Sequence, residues 1–284
     1  MNALTRPIMR YPGGKWKLAR RIISHFPGHM RYVEPYVGAG SVLMKKHRVH
    51  SEYINDLDGN VVNVFRVLRD TRMARELERQ LKLTPFAREE FLYSYEPTGE
   101  PVERARRTLI RAFMGHSSAS VNPSHRTGYR SKAFRRGRSP AGDWQNYNCF
   151  IPLFTERLQG VNIENRPALE MIRHLDSPET LFYVDPPYPT ATRFGEMYSH
   201  EMCDEDHARL LGCLLDMEGM VVLSSYENEM YSDILKTWRK ETFATFADGA
   251  RPRTEVLWIS PNIPVPVHLE SICNNQQFNL PQGE

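Results

Sequence analysis

The chain has 284 residues and a formal net charge of +3, and 40% of its residues are hydrophobic. This length fits one large domain or one domain with an insertion, and the hydrophobic content excludes a disordered chain. No apolar run reaches the ~18 residues of a membrane span, no signal-peptide segment opens the chain, and the four cysteines form no CxxC pair. We therefore expect a cytoplasmic protein with no membrane partner and no metal site.

Predicted strands and helices alternate in the first and last thirds of the chain. Strands are predicted at residues 31–36, 52–56, 160–165, 181–185 and 220–225, and then at FATF (243–246) and EVLWIS (255–260). Helices are predicted at residues 16–26, from 41, and at 60–68, 168–175, 204–216 and 229–238. This alternation predicts an α/β fold with a mainly parallel sheet, in which ligands bind beyond the carboxyl ends of the strands.

The alternation stops between about residues 71 and 159. Helical patterns at 73–83, 88–95 and 102–114 precede a polar stretch, 115–144, that is rich in Gly, Ser and Arg. This middle third therefore looks like an insertion into the α/β fold. After residue 264 the sequence is rich in Asn, Gln and Pro, and we treat 265–284 as a tail.

A glycine turn, VGAGS (37–41), follows the first strand. The GxGxxG pattern of a dinucleotide site fails because Leu43 stands at its third position, and Gly13-Gly14-Lys15 is followed by Trp16, which excludes a Walker-type loop. Asp56 lies 18 residues after Gly38, close to the spacing of an acid that receives ribose hydroxyls. These features indicate a ligand with a nucleoside and no pyrophosphate, and S-adenosylmethionine fits that description.

The stretch FYVDPPY (182–188) ends a hydrophobic run in two prolines. Because proline donates no N–H and disfavours helix in the preceding residue, a buried strand must stop there at a rigid turn. The turn holds the Asp185 carboxylate, the Pro186 carbonyl and the Tyr188 ring in one place, with Pro187 stiffening it.

A basic run covers residues 104–138, with ten Lys or Arg and no Asp or Glu. It is either a solvated basic face or, as its length and interleaved aromatics favour, a surface that follows phosphates. The candidates for DNA contact are Arg104, Arg107, Arg111, Asn122, Arg126, Tyr129, Arg130, Lys132, Arg135 and Arg136. Arg104, Arg107 and Arg111 recur at three- and four-residue spacing, which predicts a shared helix face that can follow a nucleic-acid backbone. Asn122, Arg126, Tyr129 and Arg130 lie in the turn-rich part and are predicted to read bases.

Four motifs, RYPGGK (10–15), VEPYVGAGSV (33–42), INDLD (54–58) and FYVDPPY, stand in an order that resembles the Dam-type DNA adenine methyltransferases. The later DEDHARLLGCLL, VVLSSYENEMY and TEVLWISPN resemble the phage and orphan members of that family. The resemblance covers residues 9–261 and is weakest in 71–159. It implies a Rossmann-like S-adenosylmethionine-dependent sheet with an inserted, mainly helical target-recognition domain.

The resemblance assigns roles to particular residues. It implies that the cofactor is held by Tyr11, Lys15, Tyr36, Gly38, Gly40, Asp56 and Asp185, and that the catalytic loop is Asp185, Pro186, Pro187 and Tyr188. One position departs from the family, because Pro167 stands where an Asp usually contacts the cofactor's adenine. The implied core spans 1–70 and 160–264, with 71–159 as the DNA-binding insertion.

The implied chemistry needs no metal. Asp185 and the Pro186 carbonyl would each accept one N–H of an adenine amine, which points the nitrogen lone pair at an already activated methyl group. Tyr188 would stack on the base after it has left the duplex.

The implied setting is a bacterial or phage-infected cell, with double-stranded DNA as partner. We expect a monomer or weak dimer, and a cognate restriction endonuclease is a possible partner. Two alternatives stay open: an RNA adenine or cytosine-amine methyltransferase on the same scaffold, and a non-catalytic DNA-binding homologue.

Overall fold

A computed structural model describes residues 4–131, 139–189, 197–246 and 252–264 of the chain. Three of the candidates for DNA contact, Lys132, Arg135 and Arg136, lie outside the described residues, as does the predicted tail at 265–284.

One sheet forms the centre of the described part of the chain. Its strands are β1 (Arg31–Glu34), β2 (Ser51–Asn55), β3 (Val161–Glu164), β4 (Thr180–Val184), β5 (Met220–Tyr226), β6 (Arg239–Phe246) and β7 (Pro252–Ile259). Their order is β3-β2-β1-β4-β5-β7-β6; β1 to β5 pair in parallel, and β7 is antiparallel to both β5 and β6. The α/β prediction with a mainly parallel sheet is confirmed. The strand order reverses at β1 and β4, which opens a crevice at their carboxyl ends.

Helices connect the strands and cover both faces of the sheet. They are α1 (Ala19–Ile23), α2 (Ser41–Lys45), α3 (Gly59–Arg69), α4 (Thr71–Leu83), α5 (Arg88–Tyr93), α6 (Pro101–Met114), α7 (Pro140–Gln145), α8 (Ile151–Leu158), α9 (Ala168–Leu175), α10 (Asp204–Leu215) and α11 (Glu229–Ile234). The helix predicted at 229–238 ends earlier, at Ile234, although Leu235 and Trp238 are buried and continue the apolar pattern. None of these helices, within the residues described, has the length and hydropathy needed to cross a bilayer.

Two buried clusters lie on opposite faces of the sheet. Tyr32 and Tyr183 belong to one cluster, and Val33, Phe182 and Val184 belong to the other. Because successive side chains of a strand point to opposite faces, this division shows that both faces of β1 and β4 are covered. All five residues of β4 are buried, which explains why that strand reads as a continuous apolar run.

The described residues between β2 and β3 form helices, from α3 to α8, joined by loops, and they contribute no strand to the sheet. Its buried side chains, such as Leu109 and Phe113 of α6, belong to the same cluster as Phe65 of α3 and Tyr32 of β1. Arg104 also donates from Nε to Oδ1 of Asn60 in α3 at 2.9 Å. The middle of the chain is therefore packed on the sheet domain through a continuous core.

Candidate active site

A pocket lies where the carboxyl ends of β1, β2 and β4 meet. It is a cleft with about 870 Å³ of empty space, part of it open to solvent. The sequence-predicted residues that line it are Tyr11, Lys15, Tyr36, Gly38, Asp56, Asp185 and Pro187. The structure thus brings together residues from four motifs that are up to 176 positions apart.

The glycine turn forms the floor of this pocket. Gly38 and Gly40 have φ angles of 48° and 62°, in the left-handed region that favours glycine. A Cβ atom on Gly38 would lie 2.9 Å from the Tyr11 ring, and one on Gly40 would lie 3.0 Å from the Phe65 ring. A larger residue at Gly38 or Gly40 would therefore have to displace the Tyr11 or Phe65 ring.

Asp56 joins the glycine turn to the end of β2. Its Oδ2 accepts the Gly38 N–H at 3.0 Å, and its Oδ1 accepts the Asp58 N–H at 2.9 Å. Burial raises the pKa of Asp56 to about 6, although these two N–H groups oppose the rise. Each oxygen accepts one of these bonds and keeps acceptor capacity for a ligand hydroxyl. Both carboxylate oxygens of Asp58 already accept other hydrogen bonds. Oδ1 caps α3 by accepting the Asn60 N–H, and Oδ2 accepts the hydroxyl of Ser199.

We predict that Asp56→Ala weakens binding of S-adenosylmethionine by about 1–3 kcal/mol, the cost of losing hydrogen bonds to a charged acceptor. Isothermal titration calorimetry measures the change, and Asp233→Ala on the exposed face of α11 is the matched control. Unchanged affinity in a folded Asp56→Ala protein would show that Asp56 does not hold the ribose.

The DPPY segment (185–188) borders the same pocket as Asp56, with Asp185 directly after β4. Lys15 donates from Nζ to Asp185 Oδ1 at 2.8 Å and to the Gly13 carbonyl at 2.8 Å, and it is 5% exposed. Burial raises the pKa of Asp185, and the charge and hydrogen bond of Lys15 oppose the rise. Burial lowers the pKa of Lys15, but Asp185 and Glu255 more than offset this effect, so the net pKa is raised and Lys15 carries a positive charge.

Acidic groups dominate the pocket wall. They are Glu34, Asp56, Asp58, Asp185 and Glu201, whereas Lys15 is the one Lys or Arg among the described residues of the lining. Glu34 is 2% exposed, and burial raises its pKa to about 7 although Tyr32 Oη donates to Oε1 at 2.6 Å. The pocket therefore favours a cationic ligand over an anionic one.

A family model supplies the deciding comparison. The model of the D12 class N6 adenine-specific DNA methyltransferases matches residues 11–245 of the chain. The chain belongs to this family. A comparison with curated proteins finds no match. The family confirms the Dam-type resemblance and identifies the chain as a DNA adenine methyltransferase in the general sense.

At residue 167 the chain has a proline where the sequence resemblance implies an acid. Pro167 precedes α9 and has no acceptor in its side chain, and it is the neighbouring Ala168 that lines the methyltransferase pocket. The segment is held by Asn165, which donates from Nδ2 to the carbonyl of Asp56 at 2.7 Å, and by Asn55, which bonds Arg166. Hydrogen bonds to the end of the neighbouring strand β2 therefore hold the backbone at this edge of the pocket.

Two of the three α6 arginines that were predicted to contact DNA are buried. Arg107 is 6% exposed and donates to Glu103 Oε1 and to the Glu96 carbonyl, each at 2.6 Å. Arg111 is 4% exposed and donates to the carbonyls of Val121 and Ser94.

The prediction that Arg104, Arg107 and Arg111 share a face that follows a DNA backbone is wrong, because Arg107 and Arg111 are buried and donate to groups within the insertion. Arg104 is partly buried against Asn60 of α3. The spacing of the three residues is that of a shared helix face, but this face holds the insertion together.

The turn-rich residues after α6 form a loop closed at its base. Gly115 and Tyr129 form an isolated antiparallel bridge, and the His116 N–H donates to the Gly128 carbonyl at 2.8 Å. Arg10 donates from Nη1 to the Gly115 carbonyl at 3.0 Å, so this base is tied to the RYPGGK motif of the pocket.

The residues of this loop that were predicted to read bases differ in how far their side chains are exposed to solvent. Asn122 is 7% exposed, and its Oδ1 accepts the Ser124 N–H; Tyr129 is held by a hydrogen bond to the Phe86 carbonyl. Of the described candidates in this loop, Arg126 is exposed, Tyr129 and Arg130 are partly exposed, and Asn122 is buried.

Sequence reasoning missed Glu255, a buried acid that contacts both Lys15 and Tyr188. Its Oε1 accepts the hydroxyl of Tyr188 and lies 3.4 Å from Lys15 Nζ. The sequence signal was a single acid at the start of the otherwise apolar stretch VLWI (256–259). Tyr188 itself is 4% exposed and meets the Tyr226 ring edge-on, with centroids 4.6 Å apart.

Proposed function

We propose that this chain transfers the methyl group of S-adenosylmethionine to the exocyclic amine of an adenine that has left the duplex, at a specific DNA sequence. The observation that carries the proposal is the single pocket that contains both the glycine turn with Asp56 and the Asp185 carboxylate of the DPPY loop. One group of residues suits a nucleoside-bearing cation, and the other supplies fixed hydrogen-bond acceptors.

The cofactor fits the residues present. Its ribose hydroxyls would meet Asp56, its methionine part would lie over the turn at Gly38, and Tyr11 packs on that turn. The sulfonium and ammonium charges suit a wall of five acids. When bound, S-adenosylmethionine supplies a methyl group whose bond to sulfur breaks, leaving the electron pair on sulfur, as the bond to nitrogen forms.

The catalytic loop acts on the amine. Asp185 and the Pro186 carbonyl accept its two N–H groups and orient its lone pair, and the prolines hold both acceptors still. As the nitrogen gains positive charge, the negative charge around Asp185 stabilises it, and the extra proton leaves to water. The residues stabilise charge that develops in the transition state, which raises the rate.

The insertion would hold the DNA. Its loop at 116–128 is tied to the RYPGGK motif through Arg10, so it stands beside the segment that lines the pocket. In this region Arg126 is exposed and Arg130 is partly exposed, so both can reach phosphates or base edges. Taking the target base out of the stack is required because its amine is otherwise paired in the duplex.

The direct test is transfer of a labelled methyl group from S-adenosylmethionine to duplex DNA, single-stranded DNA and RNA. Digestion and mass spectrometry should find N6-methyladenine from duplex DNA, and sequencing should place it in one motif. A label on cytosine or on RNA would support the alternative of an RNA adenine or cytosine-amine methyltransferase. DNA binding without methyl transfer would support the alternative of a non-catalytic DNA-binding homologue. A rise in fluorescence of 2-aminopurine at the target position would report the extruded base.

The acidic pocket also predicts a pH dependence. The pKa values of Glu34 and Asp56, raised by burial to about 7 and about 6, mean that both acids take up protons as the pH falls from 8 to 5.5. A cationic ligand binds the ionised acids best, so its binding releases these protons and its affinity is highest at pH 8. For each proton released, the affinity falls by up to about tenfold per unit decrease in pH.

S-adenosylhomocysteine lacks the sulfonium charge and should lose less affinity over the same range. Calorimetry of both ligands at pH 5.5, 6.5 and 8 checks the difference, and Glu34→Gln should flatten the change near pH 7. Equal pH dependence of the two ligands would contradict an electrostatic role of the acids at the sulfonium.

A further inference from the structure

Glu255 is a buried carboxylate inside the sheet, on the strand between β5 and the edge strand β6. It lies on β7, opposite Tyr226 of β5 and Phe243 of β6, and is 3% exposed. Burying an ionised carboxylate costs several kcal/mol unless it is paired and hydrogen-bonded. An apolar residue would fill this strand position without that cost. The presence of an acid here therefore calls for a functional explanation.

The contacts of Glu255 lead to the residues of the proposed reaction. Its Oε1 accepts the hydroxyl of Tyr188 and lies 3.4 Å from Lys15 Nζ, while the same Nζ lies 2.8 Å from Asp185 Oδ1. Lys15 Nζ also lies 4.7 Å from the centre of the Tyr188 ring. One ammonium group thus stands between two carboxylates, with the tyrosine of the catalytic loop packed against it.

We infer that Glu255 is a positioning residue for methyl transfer: it shares the charge of Lys15 with Asp185 and anchors the hydroxyl of Tyr188. The inference rests on the proposed function. If Asp185 were the sole partner of Lys15, the ion pair would neutralise the carboxylate that must accept the amine. With Glu255 present, the cluster of two carboxylates and one ammonium keeps a net negative charge, which favours the developing positive charge on nitrogen.

Glu255 does not touch the reacting atoms in this scheme, so it acts through Lys15 and Tyr188. Both buried acids have raised pKa values, chiefly because of burial, and Lys15 opposes the rise in each. Without the charge of Glu255, Lys15 would form its ion pair in this cluster with Asp185 alone. The consequence should be a slower chemical step with little change in the binding of cofactor or DNA.

The test compares Glu255→Gln, Glu255→Asp and Glu241→Gln. Gln keeps the size and an acceptor for Tyr188 but removes the charge, and Asp keeps the charge on a shorter side chain. Glu241 lies on the neighbouring β6 and is paired loosely with Arg239 at 3.9 Å, so Glu241→Gln is the matched control. For each variant one measures kcat and KM, cofactor affinity, thermal unfolding, and the rate at which acetic anhydride labels Lys15, read by mass spectrometry.

Glu255→Gln should lower kcat by about 10- to 100-fold, the effect of losing one charge-assisted contact, with KM and cofactor affinity within about threefold. Labelling of Lys15 should become faster, Glu255→Asp should recover part of kcat, and Glu241→Gln should match the wild type. Should Glu255→Gln fail to fold, Glu255→Asp must still lower kcat at unchanged KM and expose Lys15.

Wild-type kcat in Glu255→Gln, unchanged labelling of Lys15, or a loss of thermal stability with normal kcat would each overturn the inference. The proposed function fails separately, if the wild type transfers no methyl group to DNA. In that case the labelling of Lys15 in Glu255→Gln still decides whether Glu255 holds this lysine.

Discussion

Asp185→Ala should abolish methyl transfer and leave folding and DNA binding largely intact. The substitution removes one of two fixed acceptors for the amine, and the loss of a single preorganised group of this kind lowers kcat by about 10²- to 10³-fold or more. Lys15 keeps Glu255 as a counter-ion at 3.4 Å, so the buried ammonium is not left without a partner.

Single-turnover transfer of labelled methyl to duplex DNA measures the effect, with DNA affinity and thermal unfolding measured beside it. Asp233→Ala, which removes an exposed acid from α11, is the matched control and should retain the wild-type rate. A wild-type turnover rate in the Asp185→Ala protein would contradict the mechanism proposed for the DPPY loop.

Arg111→Met should lower the free energy of unfolding by about 2–5 kcal/mol. The side chain donates to the carbonyls of Val121 and Ser94 and is 4% exposed, and each buried carbonyl left without a donor costs about 1–3 kcal/mol. Burial lowers the pKa of Arg111 to about 10, so the group is still charged at neutral pH. Urea unfolding gives the free energy directly.

Arg126→Met is the comparison, because it makes the same chemical change on an exposed side chain over Tyr95. It should change stability by less than about 0.5 kcal/mol and, if Arg126 contacts a phosphate, reduce the salt dependence of DNA binding by about one unit. Equal stability of the two variants would contradict the structural role of Arg111. A change of methylated motif in Arg126→Met would show that this arginine reads a base.

The glycine turn, the acid after β2 and the DPPY loop were all recognisable in the sequence. Each follows an apolar strand pattern, and the carboxyl ends of neighbouring parallel strands meet at one edge of a sheet. The grouping of Gly38, Asp56 and Asp185 around one pocket was therefore predictable without coordinates. The order of the motifs was also enough to indicate the family, which the match over residues 11–245 confirms.

Periodicity could not show which way the α6 arginines face. Residues spaced three and four apart share a side of a helix, but whether that side meets solvent or protein depends on what packs against it. Here the carbonyls of Glu96, Ser94 and Val121 lie on that side and need donors. Long arginine side chains can satisfy buried carbonyls, so a run of positive charge does not by itself mark an exposed surface.

The sequence by itself determined the class of fold, the strand ends that form the pocket and the acidic and prolyl residues of the DPPY segment, because these are local patterns. Only the tertiary structure decided the cluster around Lys15, which joins residues 15, 185, 188 and 255 from three separate parts of the chain. Such a cluster has no signature in spacing, since antiparallel β7 enters the sheet beside β5 from the far end of the sequence. Its members are selected by the need to pair charges in a buried place, and that place exists only once the sheet has formed.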